Sequence, residues 1–298
     1  MKHLAQIAFT VSLLAFCRFA MFAQETCTFQ DLNLAEAFSS AGAGINEVGA
    51  VVGSFSPGLR TSSQGFLVHQ DTFLPFTFPG SAGTGASDIN NQSQIVGSYA
   101  DPSNRLHGFF VHSGGFQTID APGAAGGTQV VGINNNGDIV GGALDPSGQE
   151  RAFLLHRGKF SFFSFPGAVV TEATGINVQS LIVGTYRDSV IGGPIHGFMV
   201  RNGAFTNIDF PGASNTFPSK VNDQGTIVGS YQDSAFTQHG FVLVEVRFIT
   251  IDKPVEPPAS QPQTNILGVN NLSQIVGSFS DSNIFANLGF RADCKALF

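Results

Sequence analysis

The chain has 298 residues, a formal net charge of −7, 42% hydrophobic residues and 12% charged ones. That charged fraction is about half the usual one for a soluble domain; it excludes a disordered polyelectrolyte, and the mildly acidic balance leaves no basic footprint for nucleic acid. Glycine supplies 36 residues and phenylalanine 30, with 3 Tyr and no Trp, a composition that suits turns and strands better than helices.

Residues 1–23 read as a secretory signal. Lys2 and His3 form a short polar start, Leu4–Phe16 is largely apolar, and Ala23 before Gln24 offers a cleavage point. Arg18 breaks the apolar run well short of the ~20 residues a membrane span needs. Lipoprotein processing at Cys17 is disfavoured by the bulk of Phe16. No later segment is long and apolar enough to cross a bilayer, so residues 24–298 are expected to form a single exported domain.

From Ile45 onward the chain is one unit written six times. INEVGAVVGSF, INNQSQIVGSY, INNNGDIVGGA, INVQSLIVGTY, VNDQGTIVGSY and VNNLSQIVGSF recur with marker asparagines at Asn46, Asn90, Asn134, Asn177, Asn222 and Asn270. A second marker follows each, ending in Phe66, Phe109, Phe153, Phe198, Phe241 and Phe290, and a third has the form FQTIDAPG (Phe116–Gly123). Each unit predicts four short strands. The first ends at Ile-Asn, and a polar Gly-bearing turn leads to Ile-Val-Gly-Ser-Tyr. A polar loop then leads to a third strand such as HGFFVH, and a tight turn to a fourth that its Pro terminates. Four strands in ~44 residues is the arithmetic of a β-propeller blade. The expectation is an all-β, six-bladed propeller.

The ends predict how the ring closes. The last repeat runs out after its third strand, while Phe29 lies 17 residues before Asn46, the spacing that Phe73, Phe160 and Phe205 keep to their own next asparagines. The N-terminal segment is therefore the missing fourth strand of the last blade, which removes the open seam. Cys27 and Cys294 would then meet at a hairpin tip, with Cα atoms about 4.4–6.8 Å apart.

The pattern GINNNGDIVG…RAFLL…GKFSFFSFPGA resembles the bacterial extracellular HAF-type repeat, over about residues 27–298. The resemblance implies an exported, propeller-like bacterial protein. It carries no catalytic residues to transfer. Departures are Gln64 and Asn287-Leu288 at the His step, and Ala143 where other units carry Tyr or Phe.

Chemistry-bearing residues recur with the repeat. Asp101, Asp145, Asp188, Asp233 and Asp281 follow the second strand, and His107, His196 and His239 open the third in three of these units. One reading makes each Asp a loop clamp that accepts from backbone amides and from the His. The other makes the acids a ligand-face ring that could take Ca²⁺, although no D-x-D-x-D-G spacing supports calcium. His69, His112 and His156 share one register position, but equivalent third-strand positions in different blades do not converge on a zinc ion. No H-E-x-x-H, C-x-x-C, G-x-S-x-G or P-loop pattern occurs. The sequence therefore assigns no catalytic, metal or cofactor residues. It points to a monomeric, secreted binding or scaffold module, in the medium or the cell envelope, for an extracellular protein or glycan. The alternative is a glycan-directed hydrolase or lyase with paired acids at the mouth of the central channel. The long loops, including the Pro-rich Pro254–Gln263, vary most between units, so their side is the expected binding face.

Overall fold

In the computed structural model the described residues are 27–32, 34, 37–70, 72–189, 192–255, 262–280 and 286–294, and every regular element among them is a β-strand. The leader expected at residues 1–23, Asp281 and residues 256–261 of the Pro-rich segment lie outside that set. Strand β1 (Thr28–Asp31) precedes the first unit, β2 (Ser39–Ile45), β3 (Val51–Ser56), β4 (Gln64–His69) and β5 (Thr72–Phe76). The second comprises β6 (Gly83–Ile89), β7 (Ile95–Ala100), β8 (Leu106–His112) and β9 (Gly115–Ile119); the third β10 (Gly127–Ile133), β11 (Ile139–Leu144), β12 (Glu150–His156) and β13 (Lys159–Phe163). The fourth comprises β14 (Val170–Ile176), β15 (Ile182–Arg187), β16 (His196–Arg201) and β17 (Ala204–Asn207). The fifth comprises β18 (Asn215–Val221), β19 (Ile227–Gln232), β20 (Gln238–Val244) and β21 (Arg247–Ile251). The chain ends with β22 (Gln263–Val269), β23 (Gln274–Ser280) and β24 (Leu288–Asp293).

Each unit is an antiparallel meander, and the units form a β-propeller. Hydrogen bonding groups the strands into five sheets rather than six: four of four strands and one of eight. The eight-stranded sheet arises because one parallel pair, Glu150 opposite Val170, joins β12 to β14. Antiparallel pairing puts the turns after first and third strands on one side of the molecule. The loops after second strands and the links between units lie on the other.

The core repeats with the sequence. Phe66, Phe109, Phe153, Phe198, Phe241 and Phe290 on the third strands are all fully buried. Each lies against the second-strand glycine of its own unit. At Gly184 a Cβ would overlap the carbonyl oxygen of Glu172 and stand 2.8 Å from the Phe198 ring, so no larger residue fits.

The marker asparagines do more than turn the chain. Asn177 Oδ1 accepts from the amides of Gln179 and Leu181, closing its own turn. Its Nδ2 donates across to the carbonyl of Asn222 in the next unit, at 3.0 Å. The same cross-unit bond runs from Asn46 to Asn90, Asn90 to Asn134, Asn134 to Asn177, Asn222 to Asn270 and Asn270 back to Asn46, at 3.0–3.3 Å. Six buried side chains thus form a closed ring around the axis.

The N-terminal strand joins the last unit as expected. Strand β1 pairs antiparallel with β24, with Asp31 opposite Phe290, and the Phe29 and Phe290 rings stand 5.3 Å apart. Cys27 and Cys294 are bonded across 267 residues, with Cα atoms 4.1 Å apart, slightly closer than the expected range. By chain-entropy models a loop this long contributes several kcal/mol.

Replacing Asn177 with Ala strands the buried Leu181 amide, frees the exposed Gln179 amide and leaves the Asn222 carbonyl with the Gly225 amide alone; it should cost about 2 kcal/mol, read as a fall of roughly 4–8 °C in Tm. Asn177→Asp keeps the acceptor but turns a charge toward the Asn222 carbonyl. It should be at least as destabilising at pH 7 and recover part of the loss at pH 4, where a protonated carboxyl can donate. A variant as stable as the parent at both pH values would remove the ring from the account of stability.

Candidate functional site: the axis and the grooves between units

First strands line the axis, and the position two residues before each marker asparagine decides what fills it. Four units have glycine there: Gly44, Gly132, Gly175 and Gly268. There is no room for more. A Cβ at Gly44 would stand 2.7 Å from Asp88 Cα, and one at Gly175 would stand 2.8 Å from Lys220 Cα. Asp88 and Lys220 are the two exceptions, and they fill the channel together. Lys220 Nζ donates to the carbonyls of Val131 (2.6 Å) and Thr174 (3.0 Å) and lies 3.7 Å from Asp88 Oδ2. Asp88 also accepts from the amides of Ile89 and Ile133. Burial pushes the Asp88 carboxyl up and the Lys220 ammonium down, each against the pull of its partner.

Beside this plug a polar recess of about 60 Å³ remains, lined by the asparagine turns. Its acids are also engaged. Glu47 Oε1 accepts from the Asn271 amide, and Asp223 Oδ1 from the Val178 amide. The axial mouth therefore holds acids bound to backbone amides rather than a facing pair poised for hydrolysis.

On the long-loop side, Asp101 Oδ1 accepts from the amides of Ser103 and Arg105, Asp145 Oδ1 from those of Ser147 and Gln149, and Asp233 Oδ1 from those of Ala235 and Thr237. These bonds hold all three carboxyls below their ordinary range, led by the Arg105 amide at Asp101, the Ser147 hydroxyl at Asp145 and the Thr237 amide at Asp233. Asp188 follows the second strand of the fourth unit, with Oδ1 3.8 Å from where a Cβ on Gly193 would stand.

The histidines have nearer partners that the sequence reading missed. His107, His196 and His239 place Nδ1 2.7–2.8 Å from Asp120, Asp209 and Asp252. His107 and His239 also reach Asp101 and Asp233, at 3.5 Å. Burial opposes charging of His239, but Asp252 and Asp233 together outweigh it and raise its pKa. A signal was present: an Asp stands 13 residues after the His in these three units, whereas Thr77 and Ser164 stand there in units that lack the His. His156 pairs instead with Asp138 (2.6 Å), and His112 stacks on Phe110. Among the described residues no three His, Cys, Asp or Glu side chains are grouped to hold a metal ion.

The tyrosines are taken up by packing between units. Phe78 stacks on Tyr99, Phe165 on Tyr186 and Phe210 on Tyr231, with ring centroids 3.6–3.7 Å apart. Each Tyr also stacks on the His of its own unit. Where Ala121 replaces the Phe, Ala143 replaces the Tyr, and a recess of about 140 Å³ opens beside the pair. Where Lys253 replaces the Phe, its Nζ sits 3.7 Å from the centroid of the Phe279 ring.

One carboxylate pair stands apart. Second strands carry Ser or Thr after their buried glycine, but the third unit has Gly142. A Cβ there would lie 2.6 Å from Glu150 Oε1 and 3.4 Å from Glu172 Cγ, so the two acids occupy the space it leaves. Burial and the neighbouring Glu150 raise the Glu172 pKa to about 7, with Lys220 and Arg187 opposing. This pair belongs to the junction of β12 and β14 and lines none of the recesses described here.

The two larger grooves lie between units, toward the short-turn side and not among the long loops. One, of about 790 Å³, runs between β16–β17 and β19–β21. Leu181, Met199, Leu243 and Phe248 form its floor, and Arg201, Asn207, Asp209 and Glu245 its rim. The other, of about 370 Å³, occupies the equivalent place between β24–β1 and the first unit. On the long-loop side, Asp101, Asp145 and Asp233 fold their loops back onto their own backbone.

No protein-family model and no curated protein matches the sequence. Solved β-propellers match the fold. AofleA from Arthrobotrys oligospora superposes with a TM-score of 0.54 at 13% identity, over 89% of this chain and 85% of that one. Aleuria aurantia lectin, described as a six-bladed propeller with a novel fucose recognition mode, gives 0.51 at 13% identity, over 84% and 91%. The propeller domain of the Trilobed protease from Pyrococcus furiosus gives 0.54 at 9% identity, over 86% and 82%. At these identities the likeness is one of fold alone.

The Glu172 shift has a sign. The folded chain holds a proton up to about pH 7 that the unfolded chain releases near 4.5, so stability falls as pH rises through that window and stays reduced above it. Glu172→Gln should remove the effect. Between pH 5 and pH 8 the parent should lose about 1–2 kcal/mol, allowing for partial exposure of the group, and the variant clearly less. Parallel Tm profiles for the two proteins would disprove the assignment.

Proposed function

We propose that this chain is an exported, non-catalytic glycan-binding module. We count its eight-stranded sheet as two blades of a six-bladed ring. One observation carries the reading: the groove of about 790 Å³ between the fourth and fifth units. Its size falls in the range of small-ligand sites, roughly 300–1,000 Å³. A sugar ring has an apolar C–H face and a rim of hydroxyls. The groove offers the complement, with Met199 and Phe248 below and Arg201 and Glu245 above. Arg201 and Glu245 are exposed and can serve as donor and acceptor without rearranging the core.

Other features support it. The axial acids accept from backbone amides and the Glu150–Glu172 pair lines none of the recesses described above, so among the described residues no built site supports the hydrolase alternative. Propeller neighbours include Aleuria aurantia lectin, described with a fucose recognition mode. The HAF-type resemblance supports export, and the Cys27–Cys294 bond suits an oxidising compartment. Among the described residues no helix is long and apolar enough to cross a membrane.

The test is an NMR titration with L-fucose, D-galactose and N-acetylglucosamine. At least one neutral sugar should shift resonances of residues 199–209 and 243–248, and Arg201→Ala with Glu245→Ala should weaken it about tenfold or more with little change in Tm. Shifts confined to the long loops, or release of reducing sugar from an oligosaccharide, would overturn the proposal.

A further inference from the structure

Building on the reading of the inter-unit grooves as glycan sites, we infer that the groove between the last and first units takes the carboxylate of an acidic sugar, anchored by Arg291. The argument starts from register. The residue after the buried third-strand Phe is Leu67, Phe110, Leu154, Met199 and Val242 in the first five units. Met199 lines the larger groove from this position. In the last unit the same position is Arg291, opposite Val276 as Met199 is opposite Val183. The repeat thus places one cation where it otherwise places an apolar floor.

Among the described residues that cation's Nε–H is left unanswered by the fold. Arg291 Nε is buried and has no hydrogen-bond partner among the described residues. Its Nη2 lies 3.9 Å from Asp293 Oδ1, beyond hydrogen-bond reach. Asp293 is already engaged, accepting from Gln274 Nε2 at 2.9 Å. Asp31, an acid among the described lining residues, is paired with Lys253 Nζ at 3.2 Å. A buried donor left without an acceptor is rare and costly. The terminal edge of a guanidinium, with Nη1 and Nη2, matches a carboxylate with two parallel hydrogen bonds. Gly49 leaves the room, since a Cβ there would stand 3.3 Å from Nη1. Val51, Val68 and Phe73 supply the apolar wall for the ring that bears the carboxylate, and Gln70 a neutral rim. A hexuronate combines these features; a neutral hexose leaves the Arg291 donor unanswered.

The test titrates the disulfide-intact protein with trigalacturonate and, separately, with the neutral sugar that fills the larger groove. Trigalacturonate should bind at residues 49–73 and 291 and weaken with added salt. Arg291→Met, which installs the side chain of position 199, should reduce its affinity about tenfold or more, while neutral-sugar binding stays unchanged. Gln70→Glu, which installs the residue of position 245, provides a second variant that leaves Arg291 and the core intact and should also weaken the acidic ligand. Trigalacturonate binding that is absent, insensitive to both variants, or lost in Arg201→Ala would overturn this inference while neutral-sugar binding persists. Loss of both kinds of binding in the parent protein would instead overturn the glycan reading itself.

Discussion

The asparagine ring is the constraint on which the rest depends. In each unit one short side chain does two jobs: its oxygen closes the turn after the first strand, and its amide nitrogen bonds the next unit's backbone. Asn is the residue that can do both, because it carries an acceptor and a two-proton donor on a short stem. The ring draws the first strands so close that most units must place glycine beside it. Only complementary residues can escape that rule, and Asp88 and Lys220 do so as a pair, neutralising each other within the channel.

The same logic governs the outer contacts. Departures from the repeat occur in matched sets across an interface between units. Phe and Tyr stack in three places; Ala121 faces Ala143 in another; Lys253 covers Phe279 in a fifth. Gly142 makes room for Glu150 and Glu172. An interface packed to core density resists a change on one side unless the other side compensates. The unit of variation is thus the junction between repeats. The equivalent grooves beside Met199 and Arg291 differ in charge because one position changed while the scaffold around it did not.

Catalysis and recognition make different demands on such a ring. A hydrolase needs carboxylates whose lone pairs remain available to substrate. Here the axial carboxylates accept from backbone amides, and Asp88 also lies 3.7 Å from the Lys220 ammonium. The lateral grooves keep donors and acceptors at their rims, and their apolar walls come from side chains already needed for packing. Binding can be added to this architecture without disturbing its centre.

Much of this was legible from the residues alone. The period of the marker asparagines, four strand patterns per unit, the early end of the last repeat and two cysteines flanking the seam determined an all-β ring closed by its N-terminal strand. The reason is that each signal is local or is repeated with the chain. The Asp clamps were local too, since an Asp can bond amides two and four residues ahead. What only the tertiary structure decided is what crosses between units: the direction of the asparagine side chains, the Asp88–Lys220 plug, and the side on which the grooves open. Residues 88 and 220 lie three units apart in sequence and meet only because the ring curves to an axis. No spacing along the chain encodes that meeting, because its geometry is set by how the units pack.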